Sequence, residues 1–138
     1  MTREILRGLS IFGLSISAVA MQSSASANEM ASACDAERGK VVFTKCLACH
    51  SAQENVHMAG PSLYGVVGRP AGNIEGFRFS RAISNLQIEW TVQNLDAFLT
   101  SPQSFARGTI MAFGGLRDAQ ERADVICYLQ SLPEANAD

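Results

Sequence analysis

The chain has 138 residues, room for one compact domain and not for two independent cores. Its 11 basic and 13 acidic residues sum to −2, only 17% of residues are charged, and no basic stripe alternates with aromatics, so nucleic-acid binding has no electrostatic footprint here. With 47% apolar residues it can bury a core, while 11 glycines and 7% aromatics point to much loop, and a small loop-rich domain needs a staple.

The N-terminus reads as a targeting segment. Arg3 and Arg7 flank the start, and the apolar run from Gly8 to Met21 is 14 residues long, shorter than the roughly 20 that span a bilayer. Ala25, Ser26 and Ala27 then form an A-x-A site. A signal peptide over residues 1–27 is expected, cleaved after Ala27 with the Ala31-Ser32-Ala33 triplet as second choice, leaving residues 28–138 as the exported domain. Removing Arg3, Arg7 and Glu4 leaves 9 basic and 12 acidic residues, a net charge of −3. The expected location is the periplasm.

Four helices separated by loops follow. Asp35 caps a first helix reaching about Leu47, with Val42, Phe43 and Leu47 on one side. Residues 51–79 hold the breakers Gly60-Pro61 and Arg69-Pro70 and no alternating run of strand length. A short helix capped by Ser80 runs to Leu86. A third, capped by Thr91, has Val92, Leu95 and Leu99 at i, i+3 and i+7 and ends at Pro102. Residues 100–117 read as loop. Asp118 and Glu121 have the spacing of a capping box and open the last helix, whose apolar face is Val125, Tyr128, Leu129 and Leu132 and whose terminator is Pro133.

The chemistry is concentrated in Cys46-Leu47-Ala48-Cys49-His50. C-x-x-C-H in an exported protein is the attachment sequence of c-type haem: two thiols add across the two vinyl groups and the next imidazole supplies an axial iron ligand. On a helical turn, positions i, i+3 and i+4 share a face, which lets both thioethers reach the porphyrin edge while the histidine is aimed at the metal. A zinc site would need a second ligand pair, and Cys34, Cys127 and His57 lack paired spacing. A thioredoxin-like pair would need a βαβ context, and a structural Cys46–Cys49 disulfide leaves His50 unexplained.

The other axial position has Met30, Met58, Met111 and His57 as candidates. Met111 lies in the glycine-flanked loop from Arg107 to Gly115, 61 residues after His50, far enough for the chain to wrap around a porphyrin. His57 is the rival, seven residues from His50 on a polar loop, where simple exposure also accounts for it.

Residues 34–132 resemble the small class I cytochromes c, closest to the mitochondrial and bacterial c2 type. Gly39 and Phe43 stand where that family packs its first helix on its last, and Glu121 to Leu129 resembles the closing helix. The resemblance implies an all-α cytochrome c fold, three to four helices and long loops wrapped around one covalent haem c held by Cys46 and Cys49. It implies that the Pro61 carbonyl, in Gly60-Pro61-Ser62-Leu63, accepts from the His50 imidazole. Gly68-Arg69 resembles the place where an arginine meets a buried propionate, with Phe77, Phe79 and Trp90 at the aromatic positions nearby. Gly108 to Phe113 resembles the loop that supplies Met111, with Thr109 as its hydroxyl. The sequence departs from the family at Phe98, where a tyrosine is usual, at Tyr64, where a histidine is usual, and at Gln103, Ser104 and Ile110, where lysines usually ring the haem edge.

The expected function is therefore an exported monohaem cytochrome c, not an enzyme, with iron held by His50 and Met111. It would carry single electrons between redox proteins such as a quinol-cytochrome c reductase or periplasmic dehydrogenase and a terminal oxidase or reductase, touching membranes only peripherally. The alternative is a haem enzyme or a gas- or peroxide-binding protein with a labile sixth ligand, for which no distal acid or base is evident once His57 is set aside. Packing of the first helix on the last would also bring Cys34 near Cys127, and a disulfide between them is expected in an oxidising compartment. The haem rim, with Lys45 and Arg117 as its charges, suggests docking by desolvation. Gathering of Arg78, Arg81 and Arg107 around the rim would instead restore a basic face.

Overall fold

Each of the longer helices starts where a short polar side chain accepts from N–H groups that the first turn leaves unpaired. The structure, a computed structural model, describes residues 34–132. Asp35 accepts from the backbone N–H groups of Glu37 and Arg38 at 2.8 and 3.0 Å and starts α1, Ala36–Phe43. Ser80 caps α2, Arg81–Ser84, and Thr91 caps α3, Val92–Thr100, accepting from Asn94 N–H at 3.1 Å. α4, Pro102–Phe105, has no side-chain cap and begins on proline. Asp118 accepts from Gln120 and Glu121 N–H at 2.7 and 3.1 Å and starts α5, Ala119–Ser131.

Three expectations are corrected. The first helix ends at Phe43 rather than near Leu47, because the N–H groups of Thr44, Lys45 and Cys46 bond three residues back, and this tighter winding turns Leu47 outward to 49% exposure. Residues 100–117 are not all loop: Pro102 both follows α3 and occupies the first turn of α4, where its fixed φ suits a helix and its missing N–H costs nothing. The described residues thus form five helical segments, three longer helices and two single turns, in the all-α fold expected. Val92 is 38% exposed, and the buried face of α3 is Leu95, Phe98 and Leu99. The expected signal peptide, its cleavage sites, Met30 and Pro133 lie outside the described residues.

α1 crosses α5 at Gly39. A Cβ there would overlap the Asp124 carbonyl and come within 2.8 Å of Tyr128 Cβ, so only glycine lets the two backbones approach this closely. Phe43 packs on Tyr128 with ring centroids 5.1 Å apart. The buried Asp124 carboxylate accepts from Arg38 Nε at 2.8 Å, from the Asp35 N–H at 2.8 Å and from Gln120 Nε2 at 2.9 Å, tying the start of α1 to the middle of α5. Cys34 and Cys127 are joined by a disulfide with Cα atoms 5.9 Å apart, the pairing expected from the sequence.

Between these helices and α3 the chain is held by local bonds. Residues 68–71 lie beside 88–90 through Trp90 N–H to Arg69 O at 2.9 Å and Ala71 N–H to Ile88 O at 2.8 Å, with a single bridge between Pro70 and Glu89 and no strand among the described residues. The core joins Val42 and Phe43 of α1, Val125, Ile126 and Leu129 of α5, the buried face of α3, and Trp90. Among the described residues no helix is long and apolar enough to cross a membrane.

Candidate functional site

Past α1 the chain keeps a helical sense through tight turns. Cys46 N–H donates to Phe43 O at 2.8 Å, Cys49 N–H to Cys46 O at 3.0 Å, and His50 N–H to Cys46 O at 2.9 Å. That winding puts Cys46, Cys49 and His50 on one side, and all three line the same cavity. Among the described cysteines only these two are free thiols, Cys46 half-buried and Cys49 exposed. Burial pushes the Cys46 thiol up, and the Lys45 charge partly offsets it.

His50 is buried, and its Nδ1 lies 2.7 Å from the Pro61 carbonyl oxygen. A carbonyl only accepts, so Nδ1 carries the proton and Nε2 keeps its lone pair. Burial lowers the imidazole pKa against the opposing effect of the Pro61 bond, which favours the neutral ring that a metal needs. Gly60 lies flat on this ring, since a Cβ there would stand within 2.7 Å of both ring nitrogens.

The Pro61 carbonyl is itself braced. Ser62, fully buried, donates from Oγ to Gln53 O at 2.6 Å. Ser62 N–H donates to His57 Nδ1 at 3.0 Å, and His57 Nε2 donates to Glu75 O at 2.8 Å. Both nitrogens of His57 are thus engaged with backbone and the residue is half-buried, in place of the exposed ring the sequence suggested. Arg69 donates to Ser62 O at 3.0 Å and Tyr64 O at 3.2 Å. Burial lowers the Arg69 pKa, and no carboxylate pairs with it among the described residues.

Met111 enters the same cavity from the loop after α4. Buried Thr109 accepts from Met111 N–H through Oγ1 at 3.3 Å, and Gln103 Nε2 donates to Thr109 O at 3.1 Å and to Met111 O at 3.0 Å. One amide therefore fastens both ends of the Thr109–Met111 segment to α4. Trp90 is 7% exposed, packs against Phe98 with ring centroids 4.9 Å apart and planes tilted by 54°, and its indole N–H has no acceptor among the described residues.

Pro61, Phe79, Trp90, Thr109 and Met111 line the cavity together with the attachment residues, whereas Arg69 stands behind the wall on the Ser62–Tyr64 backbone. Met58 is 49% exposed and outside it. Sequence reasoning missed the wall contribution of Ile83, whose place three residues after the Ser80 cap was the available signal. It also missed Gln103, a polar surface residue whose role no spacing reveals.

The cavity measures about 470 Å³ and its walls are overwhelmingly carbon, from Val66, Ile83, Leu95, Phe98, Leu99 and Leu116 among others. Protein interiors are normally packed without voids of this size. A flat apolar group fits it: thiols and an imidazole lone pair on the attachment turns, a thioether on the 109–111 loop, and an unpartnered indole donor.

The chain matches the family model for cytochrome c over residues 36–133. It is 42% identical to cytochrome c of Euglena viridis over 101 residues, covering 72% of this chain and 99% of that protein. It is 44% identical over 100 residues to the cytochrome c-type cyt cy of Rhodobacter capsulatus, covering 72% of this chain and 50% of that protein. The solved structure of cytochrome cH from Methylobacterium extorquens superposes with a TM-score of 0.66 at 37% identity, covering 70% of this chain and 98% of that one. Fold, cavity chemistry and kinship therefore agree that the chain belongs to the cytochrome c family, as a class I monohaem electron carrier with one haem c bound covalently through Cys46 and Cys49.

Proposed function

We propose that this cytochrome is exported to the periplasm, that its signal peptide is cleaved after Ala27, and that its iron is held between His50 and Met111. The observation that carries the ligand assignment is the pair of backbone restraints on either residue. Pro61 fixes the tautomer and aim of His50, and Thr109 with Gln103 fixes the segment bearing Met111. A haem in this cavity supplies a one-electron ferric/ferrous couple.

The residues of the chain set how that couple is tuned. The Met111 thioether favours the ferrous state more than a second imidazole would, and the apolar wall disfavours the extra charge of the ferric state, so both raise the potential. Trp90 would offer its N–H to a propionate of a haem bound there, and Phe79 lines the same cavity, while Arg69 stiffens the segment whose carbonyl holds His50. Backbone restraint of both ligands keeps reorganisation small as charge changes. The donor is a quinol-oxidising complex or a periplasmic dehydrogenase, the acceptor a terminal oxidase or reductase, and the relatives named from bacteria support the exported location.

Met111→Ala tests the ligand assignment. The variant should lose the weak near-red sulfur-to-iron band of the ferric protein and its ferrous form should bind carbon monoxide readily. A spectrum indistinguishable from that of the parent protein would move the ligand elsewhere.

A further inference from the structure

The four cysteines of the chain end in two chemistries that draw on the same kind of thiol. Cys46 and Cys49 face the cavity as the attachment residues, while Cys34 and Cys127 form the disulfide. Along the chain the disulfide partners are the most distant pair of the four, 93 residues apart, whereas Cys34 stands only 12 residues before Cys46 and 15 before Cys49. In an unstructured chain, closing the shorter of these loops is favoured over closing the native one by about twentyfold. A Cys46–Cys49 bond closes a loop shorter still. Either bond removes a thiol that attachment requires.

The fold forbids the Cys34–Cys46 pair, but only once it has formed. α1 stands between the two cysteines, and its 8 residues hold them on the order of 12 Å apart, beyond the roughly 7 Å between Cα atoms that a disulfide tolerates. A helix this short is marginal alone, and α1 is held by its crossing with α5 at Gly39. Val125 and Leu129 of α5 pack in that core and also line the cavity, as do Leu95, Phe98 and Leu99 of α3. Before attachment, a cavity of about 470 Å³ leaves these side chains without packing partners on one side. The crossing that brings Cys34 to Cys127 therefore depends on the haem, and so does the separation of Cys34 from Cys46.

We propose that haem attachment comes first and the Cys34–Cys127 bond second, so that this chain requires a dithiol reductant before attachment and a thiol oxidant after it. The inference rests on the proposed export, because the competing bonds form in an oxidising compartment. In attachment each sulfur of Cys46 and Cys49 bonds one carbon of a vinyl group and its hydrogen goes to the other, with no electrons lost. A disulfide that includes Cys46 or Cys49 must therefore be reduced beforehand, its two electrons and two protons coming from a dithiol that becomes a disulfide. The later step removes two electrons and two protons from Cys34 and Cys127 and passes them to the disulfide of a thiol–disulfide oxidoreductase, which becomes a dithiol. By then these are the two thiols left in the chain, so the oxidant has no wrong pair to make. Cys34 is exposed in the fold, which lets the oxidant reach the pair without unfolding the domain.

Two single variants separate this order from its reverse. Cys34→Ser and Cys127→Ser both lose the disulfide, so the loss of its stabilisation is common to them, but only Cys34→Ser removes the near competitor of Cys46 and Cys49. The full chain is produced in a bacterium that exports and attaches haem, and the fraction of chains carrying haem is read from the absorbance of reduced, denatured protein. Without added dithiol, Cys34→Ser should carry haem at least about threefold more often than Cys127→Ser, a part of the twentyfold loop preference, and added dithiol should bring the two together. In the pulse-labelled parent chain, alkylated at intervals and mapped by mass, haem-bearing chains with Cys34 and Cys127 both alkylated should precede those with the bond. Equal haem fractions without dithiol, or the reverse ranking, overturn the inference. Haem-free chains already carrying the Cys34–Cys127 bond ahead of any haem-bearing ones also overturn it. Recovery of the chain in the cytoplasm with residues 1–27 intact would instead overturn the export reading, so the two failures are distinct.

Discussion

The side-chain amide of Gln103 donates to the backbone carbonyl of Met111 at 3.0 Å, eight residues farther along the chain. The same nitrogen reaches Thr109 O at 3.1 Å. In the sequence, position 103 reads as a missing lysine of the rim; in the fold it is a clasp on the ligand loop. Two neutral hydrogen bonds contribute about 1–2 kcal/mol to keeping that loop closed. Gln103→Leu should leave the helical circular dichroism unchanged and raise the apparent affinity of the ferric protein for added imidazole by about tenfold. An unchanged imidazole affinity would mean that the clasp does not govern ligand release.

Gly39→Ala should be among the most damaging single changes in the domain. The added methyl meets the Asp124 carbonyl and Tyr128 Cβ, neither of which can swing away. Forcing α1 and α5 apart costs about 2–3 kcal/mol, in the range of overpacked cores. Denaturant unfolding of the holoprotein would show it as a lower midpoint with little change in slope. A midpoint within error of the parent value would contradict the close crossing.

Asp124 links stability to pH. Arg38 beside it, helped by Gln120 and the Asp35 N–H against the cost of burial, lowers its pKa from 3.8 to about 2. A carboxyl depressed in the folded state contributes stability that is fully present above its unfolded pKa and is lost as pH falls through the folded one. The contribution should therefore fade between about pH 4 and pH 2. Asp124→Asn should destabilise the protein by about 2 kcal/mol at neutral pH, and its difference from the parent should shrink across that acid window. A constant difference down to the acid end would separate Asp124 from the linkage.

The parts of the fold that could be read from the sequence are those fixed by local chemistry. Asp35, Ser80, Thr91 and Asp118 all cap helices in the structure because a cap needs only a short polar side chain two or three residues ahead of a free N–H. Cys46, Cys49 and His50 were legible because their spacing is that of one helical turn. What stayed hidden depends on contacts between distant segments. The outward turn of Leu47 follows from a shift to three-residue hydrogen bonding, and Pro102 reads equally as a terminator and as a first helical residue. Arg69 is an arginine whose two backbone partners only the folded loop brings within reach. The pairing of Cys34 with Cys127 was inferable once α1 and α5 were taken to cross.

That disulfide closes a sequence separation of 93 residues, for which chain entropy suggests up to about 4 kcal/mol. Replacing both cysteines by serine should lower the thermal midpoint of the holoprotein while leaving its visible spectrum unchanged. Mass analysis after non-reducing alkylation should find no added label on the parent protein. Two labelled thiols would show that the bond does not form.

The most direct test of the account is the visible spectrum of the purified protein, ferric and ferrous, before and after exposure to carbon monoxide. With both axial positions filled by His50 and Met111, the ferric protein should show the near-red sulfur-to-iron band, and the ferrous spectrum should be unaltered by the gas at neutral pH. Rapid formation of a carbon monoxide complex by the parent protein, with no such band in its ferric form, would show an open iron face and contradict the reading of this chain as a closed electron carrier.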